Sequence, residues 1–120
     1  MKLAFTTSGE NLESKLDPSF GRTKNFLIFD LERQTSTLIS NQQNLDAAQG
    51  AGIQAAQTIV KAGAQALITG HCGPKAFRVL EAAGVKVYNT EAATIAEALA
   101  RYQAGELTAA KVANVEGHWA

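Results

Sequence analysis

Three observations predict an α/β layered domain on a mixed sheet of about five strands flanked by helices. Two runs rich in strand-forming residues, 25–31 and 35–40, are separated only by Glu32, Arg33 and Gln34, which is hairpin spacing. Farther along, compact apolar runs at 66–69 and 85–88 alternate with helical stripes, as parallel strands joined by crossover helices do. Gly63, Gly84 and Gly105 stand where those stripes should stop.

In order, Leu3, Ala4 and Phe5 form a first buried strand over residues 2–6, followed by a polar loop over 7–16. Thr6, Thr7, Ser8 and Gly9 leave that strand with hydroxyls and a flexible glycine. In an open sheet this is where a ligand loop sits, and it is also the composition of an ordinary turn. Phe26, Leu27, Ile28 and Phe29, then Thr37, Leu38 and Ile39, make the antiparallel hairpin. After a polar connection over 41–49, the stripe Ile53, Ala56, Val60 and Ala64 predicts an alanine-rich helix packed closely on the sheet. Ala66, Leu67, Ile68 and Thr69 form the next strand, and the following helix buries Ala76, Phe77 and Leu80. Val85, Val87 and Tyr88 resume strand chemistry; Thr90 is the expected cap of a last helix bearing Ile95, Leu99 and Tyr102. Residues 1–104 thus read as the domain, and 105–120 as a mobile C-terminal tail.

The 120 residues and 12.7 kDa suit one hydrophobic core. Eleven basic residues balance eleven acidic ones, which argues against nucleic acid as a partner. Residues 1–5 are too short for a signal-peptide core and no run approaches membrane-spanning length, so the expectation is a cytoplasmic protein without a membrane partner. A single cysteine makes no intramolecular disulfide and cannot alone supply the ligands of a structural zinc site or a conventional iron–sulfur cluster. A cluster held here must bring most of its own ligands, such as inorganic sulfide.

The segment Thr69-Gly70-His71-Cys72-Gly73-Pro74-Lys75 holds that cysteine and runs from a strand into a helix. Proline suits the first helical position, so Gly73 reads as the N-cap and free amides face the loop. Those amides, the positive end of the helix and Lys75 favour an anion, and the same field would stabilise a Cys72 thiolate. The expected pocket takes an anionic, sulfur-liganded metal species, with His71 and Cys72 as candidate metal ligands. Cys72 can equally pack as a small buried residue under the turn. His71 can donate to sulfide, ligate metal or sit solvated. Lys75 matters only if an anion occupies the turn. Gly50, Gly52 and Ala55 formally fit a dinucleotide fingerprint, yet they follow no strand and lack the acid about twenty residues on. No G-x-x-x-x-G-K-[ST] is present, so the chain is not a P-loop ATPase.

Several stretches together resemble the family of small dinitrogenase iron–molybdenum cofactor biosynthesis proteins, over most of residues 1–104. They are Lys2-Leu3-Ala4-Phe5, Leu16-Asp17-Pro18-Ser19-Phe20-Gly21-Arg22, Phe26-Leu27-Ile28-Phe29-Asp30, Gly50-Ala51-Gly52-Ile53-Gln54-Ala55-Ala56, Leu67 to Phe77, and Ala83-Gly84-Val85-Lys86-Val87-Tyr88. The resemblance implies a ribonuclease-H-like mixed sheet used as a non-enzymatic carrier of molybdenum-containing sulfide clusters. The Leu-Asp-Pro and Phe-Gly-Arg pattern is most similar to members whose all-sulfide molybdenum–copper cluster is held non-covalently. It implies a seat made by Ser8, Phe20, Gly21, Arg22, Gly70, His71, Cys72, Gly73, Pro74 and Lys75, with Arg22 screening outer charge and Phe20 excluding water. Ser19 departs from the histidine or arginine that precedes Phe-Gly-Arg in many relatives. The resemblance also implies MinD-like or ParA-like ATPases as partners, so a metal-free interaction module is the alternative function. A small cysteine-dependent enzyme using Cys72 with His71 or His118 is a third. A ribonuclease-H-like sheet raises two-metal nuclease chemistry on Asp17, Asp30 and Asp46, but nothing in the sequence makes them converge.

Overall fold

The computed structural model describes residues 1–42 and 50–113. Five strands, β1 (Lys2–Thr7), β2 (Asn25–Asp30), β3 (Thr35–Ser40), β4 (Ala66–Thr69) and β5 (Lys86–Asn89), form one mixed sheet in the order β3-β2-β1-β4-β5. β2 is antiparallel to both β1 and β3, whereas β4 is parallel to β1 and β5. The hairpin and the parallel half are therefore as the sequence predicts. Three helices are described: α1 (Ala51–Lys61), α2 (Pro74–Ala82) and α3 (Ile95–Gln103).

Strand alternation divides the core between two faces. On one, Ala4, Phe26, Ile28, Leu67 and Val87 meet α1 and α2 through Ala55, Ala56, Ile59, Ala76, Phe77 and Leu80. On the other, Leu3, Phe5, Leu27, Phe29 and Ile68 meet α3 through Ile95, Ala98 and Leu99. Among the described residues, no helix is long and apolar enough to cross a membrane.

The buried face of α1 is rotated from the expected stripe. Ala51, Ala55, Ala56 and Ile59 are buried, whereas Val60 is exposed and Ile53 only partly covered. α1 lies against α2, where methyl side chains permit a closer approach than the β-branched residues would. Gly63, Gly84 and Gly105 adopt φ near +80° or +75°, and each follows a helix or its last turn, as expected.

The cap of α3 is Thr94, not Thr90. Thr94 Oγ1 accepts from the Glu97 amide at 3.1 Å, while the Glu97 carboxylate accepts from the Ala93 amide at 2.6 Å. The loop after β1 fixes this start, because the Ile95 and Ala96 amides donate to the carbonyls of Ser14 and Leu12 at 3.0 and 2.8 Å. Thr90 Oγ1 instead accepts from the Ala92 amide in the preceding turn. Replacing Thr94 by alanine is expected to cost about 1 kcal/mol, read as a lower urea midpoint at unchanged slope, whereas Thr90→Ala should leave the helix start intact.

Past α3 the chain returns along the sheet edge. The Ala110 amide donates to the Val87 carbonyl at 2.7 Å, and Leu107 packs on the α3-side core. Ala109 and Ala110 therefore lie against the outer edge of β5. The rest of the expected tail, 114–120 with His118, and the stretch 43–49 with Asp46, lie outside the described residues.

Candidate functional site

At the carboxyl ends of β1 and β4, two buried threonines organise the site. Thr6 Oγ1 donates to the Asp17 carbonyl at 2.6 Å and lies 2.9 Å from Thr69 Oγ1. The Asp17 amide returns to the Thr6 carbonyl at 2.7 Å, and Asp17 Oδ1 accepts from the Ser19 amide at 3.0 Å. Residues 16–20 are thereby drawn across the strand ends as a strap. Beyond β4 the chain stays extended against it: the His71 amide donates to the Pro18 carbonyl at 2.7 Å, and Phe20 donates back to His71 at 3.1 Å. Asn89, at the end of β5, donates its Nδ2–H to the Gly70 carbonyl at 3.0 Å.

Strap and loop together separate two clefts. The smaller, about 360 Å³, opens at the start of α2 and is lined by Phe20, Gly21, Gly52, Gly73, Pro74, Lys75 and Ala76. Gly73 is the N-cap and Pro74 the first helical residue, as expected, with no side chain capping the helix. By helix geometry the amides of Lys75 and Ala76 lack an intrahelical acceptor, and the dipole adds partial positive charge. Phe20 is buried and stacks at a tilt on Phe26, with ring centroids 5.5 Å apart, so it forms a fixed apolar wall.

The larger cleft, about 890 Å³, lies on the α3 side, where Gly70 and His71 meet Lys15, Asn89, Thr90 and Arg101. Sequence reading missed Lys15, Asn89 and Arg101. Asn89 and Thr90 carried a usable signal, since residues just past a parallel strand face the ligand crevice of an open sheet.

The ten expected seat residues are thus not one cluster. Phe20, Gly21, Gly73, Pro74 and Lys75 come together in the smaller cleft, whereas Gly70 and His71 line the larger. Arg22 is exposed immediately after Gly21, between that glycine and the buried Thr23. Ser8 is exposed beyond β1 and lines neither cleft; the neighbouring hydroxyls of Thr6 and Thr7 are spent on the carbonyls of Asp17 and Lys15.

Cys72 corrects the expectation of a stabilised thiolate. Its side chain is 1 % exposed within the apolar cluster that contains Phe20, Phe26, Ala55 and Ala76. Sγ donates to the Gly73 carbonyl at 3.8 Å. Burial pushes its pKa up to about 12, because desolvation penalises the anion. In this extended segment neighbouring side chains point to opposite sides, so His71 and Cys72 do not converge as a metal pair. Nor do the acids gather: Asp17 caps the strap, while Asp30 accepts from the Glu32 and Arg33 amides at 3.0 and 3.2 Å in the hairpin turn. The Arg33 amide foremost holds the Asp30 carboxyl below its usual range. Among the described residues, no group of three or more His, Cys, Asp or Glu could hold a metal ion.

A family model described as dinitrogenase iron-molybdenum cofactor matches residues 1–105. The apo form of the orange protein from Desulfovibrio gigas superposes with a TM-score of 0.92 at 37% identity, covering 95% of this chain and 96% of that one. A Thermotoga protein of the DUF35 family gives 0.83 at 33% identity, covering 97% and 98%. An uncharacterized protein of Methanocaldococcus jannaschii is 30% identical over 97 residues, 78% of this chain and 81% of its own length.

Proposed function

Because this chain belongs to the dinitrogenase iron-molybdenum cofactor family, and so has a cofactor-related role, we propose that it is a non-enzymatic carrier of an anionic molybdenum–copper sulfide cluster. The observation that carries this reading is the smaller cleft, which opens at the uncapped start of α2, has Lys75 in its lining and is walled by Phe20. A thiometallate brings its own sulfide ligands, so what it asks of a protein is positive potential, N–H donors and exclusion of water. Gly21 and Gly52 let the strap and the start of α1 pack closely, for a Cβ on Gly21 would stand 3.3 Å from Gly52 Cα, whereas Gly73 leaves the cavity open to a bulky inorganic anion. A Cβ on Gly73 would meet nothing within 4 Å. Arg22, one residue from the lining, adds charge at the rim. No bond to Cys72 is needed, and the buried neutral thiol supports packing rather than ligation.

The test is an anoxic titration of metal-free protein with tetrathiomolybdate and copper(I), then desalting, metal analysis and a visible spectrum. Molybdenum and copper retained by folded protein, with charge-transfer bands, is the expected result. Lys75→Ala and Arg22→Ala should each weaken retention by roughly three- to tenfold, and the loss should grow with ionic strength because both cations are exposed. Loss of all metal on desalting would overturn the carrier reading in favour of a metal-free interaction module.

A further inference from the structure

The larger cleft is separate from the cluster seat, for the two cavities have no lining residue in common. It stands at the carboxyl ends of β4 and β5, the side on which open α/β sheets take ligands, and its volume of about 890 Å³ is that of a small-molecule site. Its lining combines the basic side chains of Lys15, His71 and Arg101 with apolar surface from Leu16 and Leu107, and Glu91 supplies an acid. Arg101 is the best-positioned of these. One guanidinium nitrogen lies 3.4 Å from Thr90 Oγ1 and another 3.6 Å from the Glu97 carboxylate. Glu97 is itself fixed by the Ala93 amide. The guanidinium thus leans on two neighbours through long, half-exposed contacts that leave part of its five-donor fork for another acceptor.

The geometry points to a second site in this cleft for a small organic or inorganic polyanion. Its carboxylate or phosphate groups meet Arg101 and Lys15, and any apolar portion lies against Leu16 and Leu107. An arginine recognises planar or tetrahedral oxyanions through paired N–H donors, and Lys15 adds a point charge on a different element. The site is therefore assembled from the loop after β1, the turn after β5 and the face of α3.

Calorimetric titration of metal-free full-length protein with citrate and, separately, with pyrophosphate tests the assignment and distinguishes its two chemistries. Saturable binding of citrate alone identifies a carboxylate ligand, and of pyrophosphate alone a phosphate ligand; either or both supports the site. Arg101→Ala and Lys15→Ala should each weaken that binding about tenfold, the loss of one charge-assisted contact, while Lys75→Ala leaves it unchanged. Both variants remove surface side chains, and a melting curve verifies their folding. Absence of saturable binding to either anion overturns the proposal. So does binding that Lys75→Ala weakens and Arg101→Ala does not, which would assign the anion to the α2 cleft. Thiometallate retention lost in Arg101→Ala would likewise overturn the separation of the two sites.

Discussion

Gly70→Ala should destabilise the protein by about 2–4 kcal/mol and lower its melting temperature by roughly 10 °C or more. A Cβ at Gly70 would stand 2.6 Å from the Pro18 carbonyl oxygen and 2.7 Å from Pro18 Cα. Both are backbone atoms, so no side-chain rotation relieves the overlap. The strap would have to withdraw, yet it is held by the His71–Pro18, Phe20–His71 and Asp17–Thr6 backbone bonds at 2.7, 3.1 and 2.7 Å. Moving it also displaces Phe20, a buried member of the core and the wall of the smaller cleft. Thiometallate retention should therefore fall together with stability. Gly73→Ala is the contrasting variant: its Cβ meets nothing within 4 Å and its φ of −69° suits alanine, so the cost should be about 1 kcal/mol or less. Calorimetric melting of the two variants side by side decides the matter, and a Gly70→Ala transition within 2 °C or so of the parent would mean that the strap is not anchored where it crosses the strand ends.

The second large effect is protection of Cys72. With a native pKa of about 12 against the ordinary 9.0, the thiolate fraction at pH 8 is about a thousandfold lower than in the unfolded chain. Alkylation by iodoacetamide at pH 8 should therefore slow by about that factor on folding, with burial of the sulfur adding steric protection. The pH dependence of stability has the corresponding sign. Because the native state holds this proton more tightly than the unfolded state, the thiol's contribution is complete below about pH 9 and is lost as pH rises toward 12. Stability should fall across that window, and Cys72→Ala should flatten the fall. Native alkylation within tenfold of the unfolded rate would return the thiol to the loop surface and restore it as a soft-metal ligand.

Much of this architecture was legible because it is specified locally. The hairpin followed from three polar residues between two strand-forming runs, and the observed register pairs residues 25–30 with 35–40 as that spacing requires. Gly73 and Pro74 announced the start of α2, since a missing N–H is harmless only at a helix's first position. The mistaken cap of α3 had a local remedy, for Thr94 and Glu97 carry the spacing of a capping box and Thr90 does not. The rotated face of α1 had none. A stripe containing Ile53 and Val60 is as periodic as one containing Ala55 and Ile59, and only the approach of α2 selects between them.

The sequence by itself determined which residues form most of each element, where α1 ends and α2 begins, and that one cysteine cannot alone ligate a structural zinc or a conventional iron–sulfur cluster. These follow from periodicity, proline and glycine backbone preferences, and ligand number, all of which act over a few residues or over the whole composition. Only the tertiary structure decided how the ten expected site residues are divided. His71 and Cys72 are adjacent, but the strap pairs with an extended backbone there, sending one side chain to the α3-side cleft and the other into the core beneath α1 and α2. Lys15 and Arg101, 86 positions apart in the sequence, line the same cavity because β1 and α3 converge on the carboxyl ends of the parallel strands. Such convergence depends on strand order and crossover direction, which no local pattern encodes.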